Sequence, residues 1–185
     1  MKRNDLVKKV FAGVVCCLLL AATGYAQSLE KGDMEVTGQV GIVTGINTHA
    51  SFAASAGKAV ADKVFVLGEF SYIPLGGANV SGGGLEFSSG GRVLTYMGGA
   101  HYQFGARKDF IPYAGGMLGV VHSSFSVEGP NQNLESSSND FYVGLTGGAR
   151  YYVKDRWGFK PELTLFAGTD SFWRFAVGMF YRFGR

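Results

Sequence analysis

Residues 173–185 read WRFAVGMFYRFGR, and large apolar side chains fall at every second place: Phe175, Val177, Met179, Tyr181 and Phe183. Between them stand Ala176, Gly178, Phe180 and Arg182. Side chains on a β-strand alternate between its two faces. One face of this strand is therefore broad and greasy, and the other is mixed and carries a charge. The fold depends on which of the two meets an apolar medium.

The same alternation recurs upstream. Runs rich in β-branched and aromatic residues, separated by Gly, Asn, Asp and Ser clusters, predict eight strands at 34–43, 51–59, 64–73, 92–104, 111–125, 140–153, 157–167 and 172–183. The connections after the second, fourth and sixth runs are tight and charged: VADK, ARKD and KDR. Those after the third and fifth are long and polar, at 75–92 and 128–140. Short and long connections that alternate put all the short ones at one end of an up-and-down antiparallel sheet. A faint internal echo accompanies this: GGAHY at Gly98 and GGARY at Gly147 share an offset of 49 residues with Pro112 and Pro161.

The bulk on each strand decides the solvent. Leu94, Tyr96, Tyr102 and Phe104 oppose Thr95, His101 and Gln103; Phe141, Val143, Leu145, Tyr151 and Val153 oppose Thr146, Gly148 and Arg150. Val64, Val66, Phe70 and Tyr72 oppose Glu69 and Ser71 as well as Phe65 and Leu67, and Phe159, Leu163 and Leu165 oppose Lys160, Glu162 and Thr164. The fifth run is apolar on both faces and stays unassigned. An eight-stranded barrel has room inside for modest side chains, so the bulky set would overfill it. Turned outward, that set is stable in a bilayer, where a closed barrel satisfies every backbone group. Phe175, Val177, Met179, Tyr181 and Phe183 then face lipid. Strand-end aromatics such as Phe110, Trp157, Phe172 and Trp173 are expected in the interfacial girdles.

The chain opens on a basic segment, MKRNDLVKK, an uncharged run and TGYAQ, which together make a secretory signal peptide cleaved after Ala26. The expected division is residues 1–26 as signal and 27–185 as a single barrel domain. Cys16 and Cys17 fall inside the signal, so the mature chain has no disulfide. Its 13 basic and 13 acidic residues cancel, and the formal excess of +3 belongs to the leader rather than to a nucleic-acid surface. The uncharged stretches at 36–57 and 110–127 are broken by Gly, Ser, Thr, Asn or Pro and make no spanning helix.

A signal, eight alternating strands, short turns opposite long loops and a terminal aromatic strand make the chain resemble the small outer membrane β-barrel family that includes OmpA and OmpX, over residues 33–183. The resemblance implies an eight-stranded antiparallel up-and-down transmembrane β-barrel in the outer membrane of a Gram-negative cell. It implies lipid and lipopolysaccharide as surroundings, and the barrel assembly machinery and periplasmic chaperones as partners in biogenesis. One departure is that Gly184 and Arg185 follow the last aromatic, where family members end on it. No wall-binding segment follows the barrel, so the anchoring role of longer relatives is not expected.

Inside the barrel, Glu69, Arg150, Glu162 and Arg174 are expected to form a charge network, with Arg150 and Glu162 as neighbours across the KDR turn. Buried ions need partners, because an unpaired one costs several kcal/mol, on the order of 3–5. The function expected is structural or surface-interacting, in a monomer without cofactor, metal or catalysis, with an extracellular ligand possible at the long loops. A narrow channel for ions or small solutes is the alternative. A second alternative is a lipid A-modifying acyl hydrolase or transferase, for which His122, Ser124 and Glu135 are the residues to consider. His49 and His101 are not spaced as metal ligands, and the GGG at Gly82 precedes no helix that would cradle phosphate.

Overall fold

The structure, a computed structural model, describes residues 30–45, 48–82, 85–104, 109–129 and 132–184, with the backbone alone at 78–88 and 128–133. The expected leader, its cleavage point after Ala26 and the two cysteines lie outside the described residues. The described residues form nine strands: β1 (Met34–Thr44), β2 (Thr48–Ala61), β3 (Val64–Pro74), β4 (Ala78–Gly82), β5 (Leu85–Gln103), β6 (Phe110–Gly129), β7 (Gln132–Lys154), β8 (Trp157–Ala167) and β9 (Ser171–Phe183). Eight of them close an antiparallel barrel, because β1 pairs with β9 and β3 pairs with β5. β4 stands outside the closure as a short partner of the upper part of β5.

The eight expected strands are all found, β8 with the same bounds. Two expected loops are not loops. The segment 75–92 carries β4 and the first part of β5, while β6 and β7 run on to Gly129 and from Gln132 in one unbroken register. Gly, Ser and Asn favour loops by composition, but the antiparallel ladder is made by backbone groups and accepts them wherever the partner continues. These extensions rise well above the neighbouring strands: β8 ends at Ala167, opposite Val143, and β7 continues past it for residues 132–142.

Sidedness follows the alternation. On β9, Phe175 is 52% exposed and Arg174 is 1% exposed, and the alternation holds to Phe183. Tyr96, Phe141, Leu145, Tyr151 and Phe159 face out, and Thr95, His101, Glu69, Lys160 and Glu162 face in. The fifth predicted run resolves with Ile111, Tyr113, Met117 and Val121 inside and Leu118 and Val120 outside. Phe172 is a correction to the expected girdle: it turns inward and stacks on Phe166, with ring centroids 4.7 Å apart. Parity explains this, since Phe172 shares its face with Arg174.

The interior holds more bulk than anticipated, because large residues sit opposite glycines. Tyr113 lies across from Gly148, where a Cβ would come within 2.6 Å of the Tyr113 hydroxyl. A side chain there would displace the ring.

The outer face also changes character along its height. On β6 and β7 it is apolar through Val120 and Phe141 and polar above them, with His122, Asn139 and then Ser124, while β5 stays apolar one step further, to Leu94, before Arg92. Above that level the apolar residues Phe125, Val127 and Leu134 occupy the inward parity instead, and all three are exposed. The ladder continues without a bulge, so the swap is one of sequence alone.

Candidate functional site

The centre of the barrel is a layer of ions. Arg150 Nε donates to Glu35 Oε2 at 2.7 Å. Arg174 meets Glu69 at 2.6 Å and Glu162 at 3.2 Å, and Lys160 Nζ lies 3.4 Å from Glu162. Arg182 pairs with Asp33 at the end of the barrel where the short turns lie. All eight groups are buried, and four acids balance four bases among the described residues. Charges taken out of water in this way are tolerable because each has an opposite partner.

Tyr113 organises the middle of this layer. Its hydroxyl donates to Glu162 Oε2 at 2.6 Å, and the Arg150 guanidinium lies over its ring at 4.7 Å and over Phe65 at 4.9 Å. His101 stacks on the same ring at 4.6 Å with an interplanar angle of 15°. The two residues of the internal echo, His101 and Arg150, thus both rest on Tyr113. Aromatic faces offer cations a favourable surface in a dry setting, which suits Arg150, whose two terminal nitrogens have no hydrogen-bond partner among the described residues.

All four sequence-predicted charges are inside, and the network joins Glu69, Arg174 and Glu162 directly. Arg150 is the exception to the expected pairing. A bulge between Tyr152 and Lys154 shifts the β7–β8 register so that Tyr151 faces Phe159 and Gly148 faces Glu162, which leaves Arg150 level with Lys160. Like charges do not pair, so Arg150 crosses to Glu35 and meets Glu162 by way of Tyr113. Four members were not assigned to the network from sequence: Asp33, Glu35, Lys160 and Arg182, although the alternation had set Lys160 and Arg182 on the inward face. The signal for Glu35 was available in MEVTGQV, where Glu35, Thr37 and Gln39 share a parity, and Arg182 lies in the terminal aromatic stretch itself.

Apolar clusters pack among the ions and fill the rest of the lumen: Ile111 stands opposite Arg150, Met97 opposite Glu69, and Phe166 under the Arg174 guanidinium. Towards the long strands, Met97, Met117, Val121, Tyr142 and Phe166 form one cluster, with Val93 and Phe172 against it. Towards the short turns, Ala59, Phe65 and Leu67 form a second, and Ile111, Tyr152 and Phe180 a third.

His122, Ser124 and Glu135 lie on the outer face above the apolar band. His122 Nδ1 is 2.8 Å from Asn139 Oδ1, and no hydrogen bond joins His122 to Ser124 or Glu135 among the described residues. A nucleophile needs its base within hydrogen-bond reach.

Comparison with known proteins agrees with this geometry. No curated protein matches the sequence. Among solved structures, the chain is similar to Ail, the attachment invasion locus protein of Yersinia pestis, with a TM-score of 0.60 and 14% identity over 83% of this chain and 99% of that one. It is similar to a major outer membrane protein of Thermus thermophilus, with a TM-score of 0.61 and 14% identity over 81% and 99%. The N-terminal β-barrel domain of Pseudomonas aeruginosa OprF follows at 0.55 and 16%, over 85% and 100%. At such identities the likeness is one of fold. The outer membrane protein beta-barrel domain model, however, matches residues 13–183. The chain belongs to that outer membrane family.

Proposed function

We propose that this protein is a sealed, non-catalytic barrel that acts through its extracellular surface. The observation that carries the reading is the filled interior, in which mutually paired buried ions are packed among apolar clusters containing Met97, Met117 and Phe166 towards the long strands and Phe65, Ile111 and Phe180 towards the short turns. An ion crossing this path would have to leave water and displace packed side chains, and desolvating a charge without compensation is costly. Purified protein in planar bilayers should pass no current above the bare membrane. Steady unitary openings would overturn the reading in favour of a narrow channel, which has its own support in lumen polar atoms of Gln39, His101 and Arg150 that have no hydrogen-bond partner among the described residues.

An acyl hydrolase is disfavoured by the pairing of His122 with Asn139 rather than with Ser124 or Glu135. Lipopolysaccharide incubated with the protein should release no fatty acid, and His122→Ala should change nothing. The surface role does not carry over in detail from the similar proteins. Ail has been crystallised with the heparin analogue sucrose octasulfate, whereas the extracellular segments here bear Glu86, Glu128, Glu135, Asp140 and Asp170 against Arg92. That balance repels sulfated ligands. Lipid and lipopolysaccharide around the wall, and assembly factors during insertion, are the remaining partners we propose.

A further inference from the structure

Above the apolar cluster, the mouth of the barrel opens into a cavity of about 420 Å³. Ile73, Leu75, Val93 and Phe125 line its walls, and Tyr142 and Phe172 lie at its base. Its polar lining includes His49, Ser123 and Asp170. The backbone N–H of Asp170 donates to the Tyr142 hydroxyl at 3.4 Å, which ties the β8–β9 turn to the base of the cavity. Among the described residues no cation pairs with the Asp170 carboxylate. Asp140, whose Oδ1 accepts from the Thr169 hydroxyl at 3.2 Å, puts a second negative charge beside the same turn.

An apolar cavity of this size with a few polar groups at its edge is the usual form of a small-molecule site. We infer that it binds a small cationic amphiphile, an aliphatic or aromatic body carrying a primary ammonium group. The body rests on Ile73, Val93, Phe125 and Phe172, and the ammonium meets Asp170. The apolar cluster below holds the ligand at the mouth and does not pass it on. This inference rests on the surface-acting reading and gives it a ligand class; the sealed lumen is tested separately by the bilayer current.

The test uses the full-length folded protein in phospholipid nanodiscs, titrated with butylamine, 2-phenylethylamine and tryptamine and with the matching neutral alcohols, empty discs being subtracted. At least one amine should bind saturably, about tenfold more tightly than its alcohol, as one charge-assisted hydrogen bond predicts. Asp170→Asn should erase that preference and leave the alcohol unchanged. Ser123→Trp, which fills the cavity, should abolish both. Retained heat-dependent gel mobility identifies variants that still fold. Saturable binding absent for every amine, equal affinity for amine and alcohol, or indifference to Ser123→Trp in a folded variant would each overturn the inference, while bilayer silence would leave the sealed barrel standing.

Discussion

Arg150 is the residue on which most of the interior converges: it bonds Glu35, covers Phe65 and Tyr113, and is fully buried. Arg150→Ala strands the Glu35 carboxylate in a dry setting, so a loss of about 3–5 kcal/mol is expected. Thermal unfolding in detergent would show it as a lowered midpoint, with insertion into membranes retained. The double variant Glu35→Leu with Arg150→Met removes both charges and should recover most of that loss, because a well-packed apolar pair replaces a buried ion pair at little cost. An unchanged midpoint in Arg150→Ala would remove this pair from the account of stability. At this scale parity was legible and pairing was not. The alternation placed Glu69, Arg150, Glu162 and Arg174 inside, but partners depend on register, and a single bulge at Tyr152 and Lys154 sent Arg150 to Glu35.

The strands were legible where they cross the apolar band, since two solvents enforce the alternation there. Above the band both faces meet water, the pattern loosens, and the Ser-rich parts of β6 and β7 resemble loops. Their extension depends on β6 and β7 pairing through Gly129 and Gln132, which composition does not reveal. The tall hairpin makes no contact needed for closure. Replacing residues 125–136 with Asn-Gly, a favoured two-residue hairpin turn, should leave a barrel that still folds, with Ser124 opposite Ser137 as the last pair. Gel mobility before and after boiling checks this, and a variant that no longer shifts would mean that the extension takes part in folding. The hairpin variant loses Phe125 from the mouth, so it should also lose amine binding.

For the molecule as a whole, the outward apolar residues of β9 run from Trp173 to Phe183, about 25 Å across the membrane at the usual tilt and rise. Depth then sets the cost of a charge on that face. Val177→Arg, near the middle, should destabilise by about 2–4 kcal/mol, and Phe183→Arg, at the edge, by about 0–1 kcal/mol. Denaturant unfolding in phospholipid vesicles measures both, and equal effects would contradict the assigned depth. The barrel and its inside-out sidedness were legible because few arrangements satisfy so much outward bulk. What no local pattern announced was the uneven height of the rim. β7 stands on the order of 35 Å of strand above the end of β8, while the turn at Gly168 and Asp170 stays low. Arrivals from solution therefore find a screen on one flank and a doorstep on the other. Asp170 sits on that doorstep, at the lip of the greasy hollow.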